Sequence, residues 1–444
     1  MDKVIKKTTV SGIKQKLDIQ TYCCFAMLFI YGALLLMVGY TQGGLSKALF
    51  PNDGNAGGNM VYLLVAQSVG LIAATLITSK LLSKINIRYI FLAGYGIAAT
   101  MLILISQITH FGSGTTLVVL FIVFSFILGC GIGPMSPLVS TFISAKYQGA
   151  QQATLLSVSN GVYGIGAGII PLAASSFVYK VGNEGFSDVQ MFYYIACGLA
   201  VLGAIVGWFI KYQHSAQLTS SKIIEKGEKS FSIWKPLIMA LIIMSFYMVA
   251  ETISNYMFTN IAKSEASKGS STISENIAIT AAQAFGLFVM IQGVWRAISG
   301  LFIVNRMPKS WFIVASGIVF AIAFVVMFTG EMQYSWAQYL VAILLGFGIG
   351  NLWPMIYGYS IEIDQRRASF IGMSINIVSM FWIPVTQLIL APIWSDGSKT
   401  DNFHTALYFA PIIIGIISVA GLVLLTIFSI FFYNNFRKQQ NIQK

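Results

Sequence analysis

The sequence predicts an all-α membrane protein in which twelve transmembrane helices form two parallel-related six-helix bundles. Three observations carry that prediction. Charged residues make up 9% of the 444 positions and hydrophobic ones 56%, whereas about a quarter of a soluble domain is charged. The apolar residues collect in runs as long as the ~20 residues that cross ~30 Å of hydrocarbon. A glycine-rich pattern recurs at a fixed offset in the second half of the chain. Within hydrocarbon each backbone amide must pair inside its own segment, so the runs are helices. Spanning strands would instead alternate over ~10-residue segments.

Taken in order, the runs fall at about 20–48, 59–80, 88–108, 116–144, 149–177 and 189–212, then at 234–262, 277–304, 309–329, 336–361, 367–392 and 403–433. The first follows a basic N-terminal segment. It is too long for a signal peptide and has no small-residue cleavage site, so it is expected to stay as the first span. The fourth and fifth are divided only by the short polar patch at 145–152. Residues 211–235 carry five Lys and two Glu among Ser and Thr, the composition of a linker. They separate a first bundle at 1–210 from a second at 236–444. Cys23, Cys24, Cys130 and Cys197 all lie inside apolar runs, where they read as small core residues and not as disulfides or metal ligands.

Charge placement sets the expected orientation. With twelve spans both termini share one side, and the loops on that side hold 21 of the 27 Lys and Arg. Among them are Lys80, Lys84 and Arg88, then Lys146, and later Arg306, Lys309, Arg366 and Arg367. The opposite loops hold only Lys47, Lys180, Lys263, Lys268 and Lys399, and Arg296 lies within a span. The positive-inside rule then places both termini in the cytoplasm, in a multi-pass protein of the cytoplasmic membrane. The same loops explain the net charge of +12 without a nucleic-acid partner.

The repeat is clearest in the fourth and tenth spans. Ile127-Leu-Gly-Cys-Gly-Ile-Gly-Pro-Met-Ser-Pro137 matches Leu344-Leu-Gly-Phe-Gly-Ile-Gly-Asn-Leu-Trp-Pro354 at an offset of 217 residues. Gly129, Gly131, Gly133 and Pro137 recur as Gly346, Gly348, Gly350 and Pro354. Small residues at this spacing let backbones approach, and Gly with Pro lets a helix bend. Close packing alone and a moving hinge both fit. Six spans per half give both halves the same orientation, a parallel repeat of the major facilitator kind, with substrate held between the halves near mid-membrane.

Further residues resemble one branch of that superfamily. Tyr247-Met-Val-Ala-Glu251, preceded by Phe246, is similar to the Phe-Tyr-Val-Gly-Ala-Glu signature in the seventh helix of fucose–hexose permease-like transporters. Trp353-Pro-Met-Ile-Tyr357 resembles their Phe-Pro-Thr-Ile-Phe in the tenth, and Pro384 sits where they have a proline in the eleventh. In the first half, Tyr31-Gly-Ala-Leu, Phe126-Ile-Leu-Gly129 and Tyr194-Ile-Ala-Cys-Gly198 resemble TsgA-like proteins. The resemblance implies a transporter, with a sugar-like solute and proton symport as its extension. Two departures bear on that extension. Val38 and Gly39 stand where sugar–proton symporters of the branch have an Asn-Asp pair. Ser83 stands where the superfamily's loop motif has Asp, within Ser79-Lys-Leu-Leu-Ser-Lys-Ile-Asn-Ile-Arg88.

Only Glu251 and Arg296 are ionisable and deep within spans. A charge at that depth costs roughly 3 kcal/mol on insertion scales, so each is a functional candidate. Glu251 is the candidate for proton coupling and for substrate contact. A structural ion pair with Arg296 is the alternative, and a depth difference of about 13 Å, taken from the 1.5 Å rise per residue, argues against it. Tyr247, Glu251 and Asn255 share a face at i, i+4 and i+8. Gln292 and Arg296 share another, with Trp295 beside them. Asn160 and Tyr163 in the fifth span, Asn351, Trp353 and Tyr357 in the tenth, and Asn376 in the eleventh complete the substrate-binding candidates. For any one of these amides, hydrogen bonding between helices is the competing role. Gly161, Gly164, Gly166, Gly168 and Pro171 make the fifth run similar to the glycine-rich fifth helix of facilitator antiporters, in a different order.

His110, His214 and His404 fall in loops or at span ends, and no catalytic cluster, phosphate-binding loop or cofactor motif is present. The chain is therefore expected to be no enzyme, to need no cofactor or metal, and to work as a monomer. Its expected partners are membrane lipid, a small-molecule substrate and a coupling proton. The predicted function is alternating-access transport of a small polar solute, secondary active or facilitative. The alternative is a facilitator-fold sensor or scaffold without transport.

Overall fold

A computed structural model describes residues 17–41, 45, 48–50, 56–82, 84–147, 149–178, 186–211, 234–267, 272–302, 308–329, 332, 334–363, 368–397 and 410–442. Ser83, most of the 211–235 linker, His214 and His404 lie outside them. Among the described residues every regular element is a helix. Eleven helices are long and apolar enough to cross a membrane, and a shorter apolar stretch, Leu63–Thr78, lies within the helix Ala56–Leu81. Counted with it, the spans number twelve and fall in the predicted order.

Three spans are interrupted. The first is Ile19–Leu35 followed by Met37–Tyr40. The fourth is Thr115–Ile132 followed by Met135–Lys146, and the tenth is Ser335–Gly350 followed by Leu352–Ile363. The last two breaks occupy the same repeat position, since Pro134 and Asn351 are 217 residues apart. In each, the next proline, Pro137 or Pro354, sits in the first turn of the following segment, where a helix tolerates a missing N–H.

Packing repeats as the sequence does. The first span packs on the fifth as the seventh packs on the eleventh. The second packs on the fourth as the eighth on the tenth, and the third on the sixth as the ninth on the twelfth. The repeat glycines serve the second–fourth and eighth–tenth contacts, and also the third–fourth and ninth–tenth ones beside them. A Cβ on Gly129 would meet the Gln67 carbonyl of the second span, and one on Gly131 would lie 2.7 Å from the Gly94 carbonyl of the third. A Cβ on Gly346 would crowd Ile291 of the eighth span, and one on Gly348 would crowd Phe320 of the ninth. Two main pairings join the halves and mirror each other, the fifth span on the eighth and the second on the eleventh. The fifth–eighth seam runs backbone against backbone. A Cβ on Gly293 would lie 2.6 Å from the Gly161 carbonyl oxygen, and one on Gly168 would lie 2.7 Å from the Gly286 carbonyl oxygen.

The outer surface is apolar, with Leu424, Phe428 and Phe431 exposed on the last helix and Ile77 on the second. Trp208, Trp234, Trp311 and Trp336 are exposed and lie within two residues of a helix end, where an interfacial aromatic belt forms. Near the N-terminus, Asp18 caps the first helix by accepting from the Thr21 amide and hydroxyl, and Lys146 donates to its carboxylate. Burial alone would raise the Asp18 pKa, but the hydrogen bonds from Lys146 and Thr21 outweigh it and hold the carboxyl below its usual range.

Candidate functional site

A central cavity lies between the halves, with an empty volume of about 1290 Å³ including its mouth. Four spans of each half line it: the first, second, fourth and fifth, and the seventh, eighth, tenth and eleventh. Positions along the helices give its direction. Arg296, Trp353 and Asn376 line the end nearer the termini, while Tyr40, Thr259 and Gln387 line the opposite end. On the terminal side the Thr75 hydroxyl meets the Met380 sulfur at 3.4 Å, and the Ser157 hydroxyl donates to the Arg296 carbonyl at 2.9 Å. The two halves are thus in contact beneath the cavity.

The two charges on the wall face each other. Arg296 Nη2 lies 3.5 Å from Glu251 Oε1, so the expectation that depth would keep them apart is overturned. Tyr247, one turn from Glu251, accepts from Arg296 Nη2 at 3.2 Å, while Gln292, one turn from Arg296, donates to Glu251 at 2.5 Å. The offset is therefore about one turn, ~5.4 Å, and a long Arg side chain reaches across it. Arg296 Nε also donates to the Gly350 carbonyl. That carbonyl lacks its own helical donor, because the residue four positions on is Pro354. The first half has a comparable arrangement: Pro137 frees the Gly133 carbonyl, and the Thr75 hydroxyl, whose shortest hydrogen bond goes to the Leu71 carbonyl of its own helix at 2.8 Å, also lies 3.2 Å from it.

A model of the Major Facilitator Superfamily matches residues 21–385 of the chain. The protein belongs to that superfamily. It is a multi-pass membrane transporter, and the mirrored packing of its twelve spans is the architecture of that fold. No curated protein matches it.

In this facilitator the predicted residues divide into two groups. Glu251, Asn255, Asn160, Tyr163, Arg296, Trp353 and Asn376 line the cavity. The others stand behind it. Tyr247 and Gln292 hold the ion pair as described. Tyr357 stacks under Trp353, with centroids 5.0 Å apart and rings 15° from parallel. Asn351 is fully buried and accepts from Ser299. Trp295 packs edge-on against Phe347 and is off the cavity. The face that carries Gln292 and Arg296 thus excludes Trp295, whose position one residue earlier turns it away from the wall.

Sequence reasoning did not single out several wall residues. Tyr31 packs against Tyr163 at 5.5 Å, and Thr252 and Tyr256 flank the Glu251 face. Ser379 and Gln387 extend the Asn376 face of the eleventh span. Steps of three or four residues from Asn376 through Ser379, Ile383 and Gln387 mark that face in the sequence, and they could have located Gln387.

Proposed function

We propose that the protein carries a small, polar, net-uncharged solute, sugar-like in chemistry, by alternating access between its two halves. One observation carries the reading: among the described wall residues the only ionisable acid and base, Glu251 and Arg296, are spent on each other. What the cavity offers a solute is then amides, hydroxyls and aromatic faces, from Asn160, Asn255, Asn376, Tyr163 and Trp353. Net-charged solutes would enter without a counter-charge. The resemblance to fucose–hexose permease-like and TsgA-like transporters supports the same reading, since Glu251 and Trp353, which carry part of it, both line the cavity.

On this reading 1–210 and 236–444 rock as two bundles joined by the 211–235 linker. The positive-inside distribution is the ground for placing both termini in the cytoplasm. Proton coupling passes through Glu251, whose protonation cancels its attraction for Arg296. Purified protein should be stabilised by neutral polyhydroxy solutes, because a ligand of the folded state raises its stability with concentration over Kd. Reconstituted protein should then exchange the solute that stabilises it. Binding without flux would favour a sensor. Glu251→Gln is expected to abolish uphill accumulation in proteoliposomes while sparing exchange, and unchanged accumulation would remove Glu251 from the coupling step.

A further inference from the structure

Among the described residues, two wall amides lack hydrogen-bond partners at one atom each. Gln67 of the second span is 5% exposed, and its Nε2 has no acceptor. Gln387 of the eleventh span is 2% exposed, and its Oε1 has no donor, although its Nε2 donates to the Tyr256 hydroxyl. A buried amide atom without a partner is rare enough in a folded protein to require an explanation.

Their placement supplies one. The second and eleventh spans pack on each other across the halves, in contact at Thr75 and Met380. The two helices run in opposite directions, so Gln67, two turns before Thr75, and Gln387, two turns after Met380, stand at the same level. Each lies on the face of its helix that carries the contact, at steps of three or four residues through Leu71 and through Ile383, and all four line the cavity. One side of the cavity thus holds, just beneath its surface, an unused donor from the first half at the level of an unused acceptor from the second.

We infer that Gln67 and Gln387 form a hydroxyl subsite that a polyhydroxy solute bridges. A hydroxyl both accepts and donates, so its oxygen takes the Gln67 Nε2 hydrogen while its own hydrogen goes to Gln387 Oε1. A carboxylate or a keto oxygen only accepts, and an ammonium only donates, so each leaves one amide atom unpaired. Tyr256 holds Gln387 five residues along the seventh helix from Glu251, a rise of about 7.5 Å. Hydroxyls at two ends of one monosaccharide can therefore meet the Glu251 cluster and the glutamine pair together. Because the subsite takes one group from each half, its occupancy depends on how the halves are set.

The inference rests on the neutral-solute reading, and the test separates the two. Full-length purified protein is titrated by thermal shift with D-glucose, L-fucose and D-mannitol, and with L-serine and L-lactate as zwitterionic and anionic controls. A polyhydroxy probe is expected to raise the wild-type melting midpoint. For that probe Gln67→Leu and Gln387→Leu should each raise Kd about tenfold to a hundredfold, as expected when a buried polar partner is lost. The ligand-free midpoint of Gln67→Leu should not fall. One deoxy analogue of the probe should bind wild type and both variants alike, marking the bridged hydroxyl. If the probe binds wild type but both variants keep its Kd, or lose affinity equally for every deoxy analogue, the subsite is overturned while the reading stands. If no polyhydroxy probe shifts the wild-type midpoint, the reading itself fails, and the subsite with it.

Discussion

The fourth and tenth spans share a backbone plan and differ in what caps it. In the fourth, the carbonyl freed by Pro137 is met by a threonine hydroxyl that also bonds its own helix; in the tenth, the carbonyl freed by Pro354 is taken by an arginine that also meets Glu251. The same break therefore closes a neutral helix contact in one half and anchors the buried charge in the other. A repeat of this kind conserves backbone geometry and leaves the electrostatics free to diverge. Between the two halves, the second is the one that commits charge to the cavity.

Four substitutions test that contrast. The largest effect is expected from Arg296→Met, which leaves Glu251 without its counter-charge and Gly350 without a donor. Removing one member of a buried pair costs about 3–5 kcal/mol, read as a lowered unfolding midpoint in detergent. Adding Glu251→Gln should recover part of the loss. Next comes the seam that joins the halves. Gly293→Leu places a side chain where even a Cβ lies 2.6 Å from the Gly161 carbonyl, and overpacking of this kind costs about 1–3 kcal/mol. Gly39→Ala, with open space around it, should leave the midpoint unchanged. Thr75→Val is the first-half counterpart of Arg296→Met and should cost only about 0.6 kcal/mol, the mean for hydrogen bonds between membrane helices. Equal losses for Thr75→Val and Arg296→Met would erase the contrast.

The smallest loss is expected at the terminal end of the first half, where Asp18 meets Lys146 in a partly exposed pair worth roughly 0.3 kcal/mol. The folded protein holds the Asp18 carboxyl below its ordinary value of 3.8. Its contribution is thus complete above that value and is lost as pH falls through the lowered one. Asp18→Asn should lower the melting midpoint slightly at neutral pH and match wild type in strong acid. A difference that grew on acidification would contradict this assignment.

What the sequence disclosed follows from the range of each signal. Spans and repeat are local patterns of apolar runs and glycines, and both were legible. Glu251 and Arg296 stood out because charges inside spans are rare. Their contact was not legible, since rise along ideal helices ignores helix tilt and the reach of an arginine. The glycines of the fifth span were visible, but not their partners Gly286 and Gly293, which sit in another half of the chain. Gln67 was legible only as one more polar residue of its span, and Gln387 was hidden. A single amide in a span has too many ordinary roles, and only the facing of the two gives either a special one.

The ion pair also bears on how the chain enters the bilayer. Glu251 and Arg296 ride on consecutive spans, the seventh and eighth. Either charge inserted alone meets a penalty of about 2.5–3.5 kcal/mol. A helical hairpin made of these two spans brings acid and base together at once, with Tyr247 and Gln292 already in place to receive them. The hairpin can therefore partition as an electrically neutral unit before the tenth span arrives with the Gly350 carbonyl, and the charged wall of the cavity is assembled ahead of the cavity itself.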